Sequence, residues 1–363
     1  MESKSRNTVV IRMKFILFSL VGNSSNPITG KTLTAQQKFQ NVVNQAIMAE
    51  EFGFDGFGVG ERHGSPFLSS SPAVILAAIA TLTSKIRLLT TVTVLSVLDP
   101  VRVAEDFATV DHLSSGRLEL IIGKGNDPRH YSLFGITEEE QWESLAERYE
   151  LLKRLWKEES VNWSGKYRPP LKDVTIEPRP YQSSIPIWHG SASSTISTEL
   201  AAKNGEPIFS SNVFHPITKY KNLIDHYKER LAYYGFDLAQ ALVGSGAGNL
   251  YIGNTKEEAI NKFKPYYDAF SSSDASKHNQ SPFVDLEDYI NNGPSLVGSA
   301  DSIIEKILYY HKFYGHQVQG ISVDGLKEEE QKEQIQRFAE EVMPIVKKEI
   351  PDFIWGSNKV LTL

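Results

Sequence analysis

The sequence predicts an α/β chain closed into a (β/α)8 TIM barrel, with an inserted hairpin segment and one long mobile loop. Three observations carry this. Eight short, apolar or β-branched runs alternate with stretches of helical period between residues 14 and 347, the pattern of parallel strands joined by crossover helices. The length of 363 residues exceeds an ordinary domain and suits one barrel of about 250 residues carrying insertions. An open doubly wound sheet would place Gly-x-Gly-x-x-Gly directly after its first strand, and none stands there. Gly58-Val-Gly60 has the wrong continuation, and Gly244-Ser-Gly-Ala-Gly248 comes late in the chain.

Residues 14–20 read as a first buried strand, and residues 34–52 as a helix with apolar residues at Phe39, Val42, Val43, Ala46 and Ile47. Gly53 closes that helix, and residues 54–60 form a second strand that runs into Glu61-Arg62-His63. Ser71 caps a helix through Leu82, with Pro72 at its first position, where a missing N–H costs nothing. Residues 86–95 read as the third strand, 101–113 as a helix and 118–122 as the fourth strand, which opens into Gly123-Lys-Gly-Asn126. A long amphipathic helix is expected over 138–156, and residues 161–180 break the rhythm as a surface hairpin. The fifth strand then covers 185–189. Helix 195–203, strand 207–210, helix 217–234, a seventh strand within 242–252 and helix 256–270 continue the alternation. Residues 271–294 are polar and Ser-rich and read as the long mobile loop, a lid with Phe283 reaching inward. Helix 302–313, strand 318–323 and a closing helix over 331–347 complete the barrel. The domain division is a frayed leader over 1–12, one barrel over 13–350 and a tail over 351–363.

Hydrophobic content of 40% and charged content of 23% suit a globular protein with a real core. A net charge of −6 and a pI near 5.9 leave no electrostatic footprint for nucleic acid or an anionic membrane. With no cysteine, disulfides, thiolate nucleophiles and Cys-based zinc or iron–sulfur sites are excluded. No apolar run is long enough to span a membrane, and residues 1–12 lack the form of a signal peptide, so a cytoplasmic enzyme is expected.

A barrel places its chemistry at the carboxyl ends of the strands. Glu61, Arg62 and His63 follow the second strand there; Thr91 and Thr93 lie late in the third, Lys124 and Asn126 follow the fourth, and His189 ends the fifth. No His-x-His pair occurs, so no metal site is expected. Gly190-Ser-Ala-Ser-Ser-Thr195, followed by Ser197, offers hydroxyls and unpaired N–H groups at a helix start, which suits a phosphate as well as it suits a plain N-cap. With Lys124 on the neighbouring strand end, a phosphate-bearing cofactor is the better reading. His63 is the candidate proton donor or acceptor, because imidazole is the side chain suited to proton transfer near neutral pH. Arg62 is either a partner of Glu61 or a clamp for a substrate anion.

The sequence resembles the bacterial luciferase-like flavin-dependent monooxygenases from about residue 13 to residue 350. The blocks that carry this are Asp99-Pro-Val-Arg-Val-Ala-Glu-Asp106, Asp111-His-Leu-Ser-Ser-Gly-Arg117, Lys124-Gly125, Ile187-Trp-His-Gly-Ser-Ala-Ser-Ser194, Thr198-Glu-Leu-Ala-Ala202 and Phe338-Ala-Glu-Glu-Val-Met-Pro344. The resemblance implies a barrel that takes reduced FMN, supplied by a separate NAD(P)H:flavin reductase, and dioxygen to oxygenate a small organic substrate through a flavin hydroperoxide. It further implies that Lys124 stands in for a phosphate-binding arginine, that Ser194 and Ser197 meet the same phosphate, and that Thr91–Val92 is a non-prolyl cis peptide; the phosphate is expected between Lys124 and the helix start from Ser193 to Ser197. Homodimers are common in such chains. The family's Glu-His-His becomes Glu61-Arg62-His63, Gly123 replaces a reactive cysteine and Ser193 a glutamate, departures that point away from light emission on long-chain aldehydes. The alternatives are a deazaflavin-dependent dehydrogenase and a non-catalytic flavin-binding subunit.

Overall fold

The structure, a computed structural model, describes residues 13–127, 129–192 and 194–350. The leader, the tail and Ser193 lie outside them. In chain order the elements are β1 (Lys14–Ser19), α1 (Ala35–Glu51), β2 (Gly56–Val59), α2 (Pro72–Leu82), β3 (Arg87–Thr90), β4 (Thr93–Val94), α3 (Pro100–Leu113), β5 (Leu118–Gly123) and α4 (Arg129–Leu133). Next come α5 (Gln141–Lys157), β6 (Val161–Trp163), β7 (Leu171–Val174), β8 (Ile187–Gly190), α6 (Thr195–Asn204), β9 (Ile208–Phe209) and α7 (Ile217–Tyr233). The chain continues through β10 (Val243–Gly253), α8 (Lys256–Ser271), α9 (Asp274–His278), α10 (Leu286–Asn292), β11 (Leu296–Ser299), α11 (Ala300–Tyr314), β12 (Val318–Ser322), α12 (Glu328–Arg337) and α13 (Met343–Glu349), the last two joined by a π-helical turn, Phe338–Val342.

Parallel pairing runs β12–β1–β2–β3–β5–β8–β9–β10 and returns to β12, with β4 continuing the β3 position against β5, so eight strand positions close. Closure is registered by Lys14↔Val318 at one seam and Val243↔Ile208 at another. Each strand is buried on both faces, which is why it reads as an unbroken apolar run. The period of two then sorts the side chains. Ile16, Leu89, Ile121, Trp188 and Val318 pack together inside the barrel, whereas Leu88, Leu118, Leu120 and Ile122 join the larger cluster under the helices. Inside, Glu119 is buried but satisfied: it accepts from Trp188 Nε1 at 2.7 Å and pairs with the Arg87 guanidinium at 2.7 Å. A buried carboxylate without those donors would be strongly destabilising.

Helix starts follow their capping residues. Thr34 and Gln37 form a reciprocal capping box on α1, Asp99 accepts the first N–H groups of α3 ahead of Pro100, and Ser194 caps α6. The inserted hairpin over 161–180 is present as the antiparallel pair β6–β7.

Four expectations change. The third strand is not continuous: it breaks at Thr91–Val92, whose peptide bond is cis, into β3 and β4. Residues 271–294 are not a structureless loop, for α9 and α10 lie within them and Leu286, Tyr289 and Ile290 are buried. Tyr289 anchors the segment through ring contacts with Tyr267, Phe270 and Phe283 at 5.2–5.6 Å, so Phe283 packs on a core aromatic. An unforeseen strand, β11, extends the sheet beyond the barrel by pairing parallel with the far end of β10, Leu250↔Leu296. The closing helix is interrupted by the π-helical turn, at which Phe338 is fully buried against Phe15 and Phe54.

Candidate functional site

The loops that follow β2, β4 and β5 at their carboxyl ends are tied into one rim. The Glu61 N–H donates to the Val92 carbonyl at 3.0 Å, and the Val94 N–H donates to Glu61 Oε2 at 2.8 Å. The other carboxylate oxygen meets His63 Nε2 at 2.8 Å, and the Glu61 side chain is buried. Glu61 thereby fixes the proton of His63 on Nε2 and leaves Nδ1 without a partner among the described residues. The His63 ring is held edge-on between His130, 5.2 Å away, and Phe134, 4.9 Å away.

His130 is a site residue that sequence reading missed. It stands on the short helix α4 and is fully buried. Its Nε2 accepts the His63 N–H at 3.3 Å, which puts its own proton on Nδ1, an atom with no hydrogen-bond partner. Burial pushes its pKa down to about 4, outweighing the pull of Asp127 3.7 Å away, while Arg62, His63 and Arg129 add to the depression. His130 is thus a neutral ring whose only bonded role is to hold the backbone of His63.

Arg62 does not pair with Glu61, because both oxygens of Glu61 are engaged. Its guanidinium donates to Asn126 Oδ1 and lies 5.4 Å from the Phe67 ring. Burial lowers its pKa to about 10, against the attraction of Asp127, with Arg129 lowering it further.

The floor of the rim is shaped by residues without side chains. The Val92 side chain lies where a Cβ on Gly190 would come within 2.9 Å and one on Gly123 within 3.1 Å. Thr91 and Thr93 each bury an Oγ1 with no partner among the described residues, but Thr93 lies in register with Ile122 and His189 and so on the helix side of the sheet, not on the rim. Lys124 follows, its Nζ reaching only the Gly125 carbonyl at 3.0 Å and lying 5.7 Å from the Trp142 ring. Desolvation lowers its pKa, with Glu138 pulling the other way. Gly125 turns the chain at φ +81°, and a Cβ there would meet Val94 Cγ1 at 2.8 Å. Trp142 also lines a cleft of about 440 Å³ with Thr195 and Ile196 at the start of α6, a cleft that Lys124 does not itself line.

At α6, Ser194 Oγ accepts the Ile196 N–H at 3.2 Å, and the Ser194 carbonyl accepts from the hydroxyls of Ser191 and Ser197 at 3.2 and 3.1 Å. These hydroxyls order the helix start and keep oxygen lone pairs as acceptors. His189 is not brought to the site. Trp188 points into the barrel, so its neighbour His189 points to the helices, where Nε2 meets Glu206 Oε2 at 2.7 Å and the ring lies 5.1 Å from Tyr149. Lys153 completes that cluster at 2.9 Å from Glu206. Among the described residues, no group of three or more histidines and carboxylates could hold a metal ion.

Residues 13–317 match the family model for luciferase-like monooxygenase. Three solved structures share the fold. A monooxygenase, RslO1, from Streptomyces bottropensis superposes with a TM-score of 0.78 at 24% identity, covering 92% of this chain and 99% of that one. The oxygenating constituent of 3,6-diketocamphane monooxygenase from Pseudomonas putida, in complex with FMN, gives 0.74 at 20% over 92% and 99%. An F420-dependent secondary alcohol dehydrogenase in complex with an F420–acetone adduct gives 0.72 at 17% over 93% and 99%. At these identities the likeness is one of fold. Curated relatives align at 34% and 30% identity over 44% and 49% of their own length, so the chain spans about half of the curated relatives it matches.

Proposed function

This chain belongs to the luciferase-like monooxygenase family, and on that premise we propose that it is a monooxygenase using reduced FMN and dioxygen to oxygenate a small organic substrate. The observation that carries this is the joining, on one rim, of a lysine with no ion pair among the described residues, the buried unpartnered Thr91 hydroxyl over a glycine-lined floor, and a carboxylate-anchored histidine. These residues fit a phosphate-bearing flavin: Lys124 and the N–H groups at the start of α6 would take the phosphate, and Thr91 and Asn126 would line the ring system. When bound, reduced FMN supplies the electrons that activate dioxygen. His63 holds or delivers a proton at Nδ1 while Glu61 fixes its other nitrogen, and His130 with Phe134 keeps the imidazole in place. The reading includes a separate NAD(P)H:flavin reductase as the flavin source and a cytoplasmic location. No helix among the described residues is long and apolar enough to cross a membrane.

Lys124→Ala is expected to weaken FMN binding by roughly 1–3 kcal/mol, about fivefold to 150-fold, as a charge-assisted contact is lost. Anaerobic titration with reduced FMN at fixed ionic strength checks this, and unchanged affinity would remove Lys124 from the phosphate site. The same titration with a reduced deazaflavin decides the cofactor: tighter binding of the deazaflavin would favour a dehydrogenase.

A homodimer is part of the proposal. Val74 and Leu82 on α2 and Leu113 at the end of α3 are 68%, 56% and 46% exposed, although α2 and α3 pack on each other. Such an apolar face suits a two-fold partner. Sedimentation equilibrium at micromolar concentration should give twice the chain mass, and Val74→Asp with Leu82→Asp should shift it to monomer. A clean monomer in the unaltered protein excludes the dimer.

A further inference from the structure

Arg62 is a partly buried cation that no carboxylate among the described residues meets. Glu61 gives its oxygens to His63 and the Val94 N–H, and Asp127 gives both of its own to the Arg129 guanidinium. Asp127 attracts Arg62 only from a distance, and Arg129 opposes it. Among the described residues the guanidinium makes one side-chain hydrogen bond, to Asn126 Oδ1. That bond and the Phe67 ring beside it orient the plane and leave the remaining N–H groups free to donate. A desolvated charge of this kind is costly unless something pairs with it. The surroundings say what the rest of that partner resembles: Phe67 lies against the guanidinium and Phe134 covers His63.

We infer that Arg62 is the recognition site for a carboxylate on an otherwise apolar substrate, placed beside His63. This rests on the monooxygenase reading of the same site and names its substrate class. The planar guanidinium edge matches a carboxylate with two parallel hydrogen bonds. A single charge is what the site lacks, since Lys124 and α6 are assigned to the flavin phosphate. The carboxylate would fix the substrate's orientation, so that its apolar part, and not its polar end, faces the His63 ring.

The test compares matched neutral and charged probes. Phenylacetate and octanoate are titrated calorimetrically against phenylacetamide and octanamide, on the protein alone and on its FMN complex. At least one acid should bind ten times or more tighter than its amide. Arg62→Gln should bring the two within a factor of two, and Arg62→Lys, which keeps the charge and loses the forked edge, should fall between. Thermal midpoints of both variants confirm that they fold. Equal binding of acid and amide, or a preference that survives in Arg62→Gln, overturns the inference. So does an Arg62→Gln variant that loses affinity for reduced FMN alone, since the guanidinium would then serve the flavin. If the protein binds no FMN, the flavin reading fails, and the acid-to-amide ratio on the protein alone still decides this one.

Discussion

His63→Gln should lower turnover by about 10²–10⁴, the usual worth of a positioned general acid or base, with FMN affinity changed by no more than a small factor. Glutamine fills a similar volume and can still reach Glu61, so the loop after β2 keeps its shape while the group that takes up and releases a proton is gone. The surrounding contacts are what make the position catalytic in kind. Glu61 is buried and bonded on both oxygens, His130 is neutral and holds the His63 backbone, and Phe134 closes the other face. Only Nδ1 is left for a reacting group. Product formed per reduced FMN supplied, with the best acid from the Arg62 series as substrate, measures the effect. A variant that keeps more than a third of wild-type turnover would show that the proton moves elsewhere. Glu61→Gln separates positioning from charge: it keeps an acceptor for Nε2 and removes the negative charge, so turnover should fall, but by less than in His63→Gln. Unchanged turnover would leave Glu61 a purely structural brace for Val94.

What the sequence disclosed follows from burial. A strand covered on both faces must be apolar throughout, so Leu118-Glu-Leu-Ile-Ile122 was legible as a barrel strand without neighbours to align it. The one charge in it, Glu119, is the inward residue whose partners, Arg87 and Trp188, come from adjacent strands. β11 escaped notice because four residues after a polar stretch give no period. Residues 271–294 read as loop because α9 and α10 bury few side chains, and no short-range pattern reports that Tyr289 docks on aromatics of α8.

The site was legible by position and less so by direction. Chain order alone puts Glu61, Thr91, Lys124 and Asn126 at carboxyl ends of strands, and the rim joins them. His189 also ends a strand, but a strand's period of two sends Trp188 and His189 to opposite sides. An inward Trp188 forces His189 out toward Glu206, and that parity could have been read beforehand. His130 could not: it enters the site only because residues 129–133 turn into one short helix beneath His63.

Acidification should unfold the protein over a narrow range below neutrality, and buried histidines should supply much of the slope. His130 and His316 are both fully buried. Burial pushes the first down to about 4 and the second to about 3, the latter with His311 adding to the depression against hydrogen bonds that oppose it. The ordinary value, taken as that of the unfolded chain, is 6.5 for each. Between pH 6.5 and about 4 the unfolded chain therefore binds protons that the folded chain refuses, and stability must fall as pH falls. Each group contributes up to about 1.4 kcal/mol per pH unit, so the pair removes up to roughly 5–6 kcal/mol between pH 6.5 and 4.5, against a typical total of 5–15. Carboxylates held below their ordinary range, Asp127 and Glu206 among them, add to the loss once the pH reaches about 4.5. Urea midpoints at pH 7.5, 6.0 and 5.0 measure the slope. His316→Asn removes one titrating ring while keeping a polar side chain, and should flatten the slope by up to one proton even if it lowers stability at pH 7.5. A His316→Asn slope equal to that of the wild type would mean that this ring takes up its proton without unfolding the barrel.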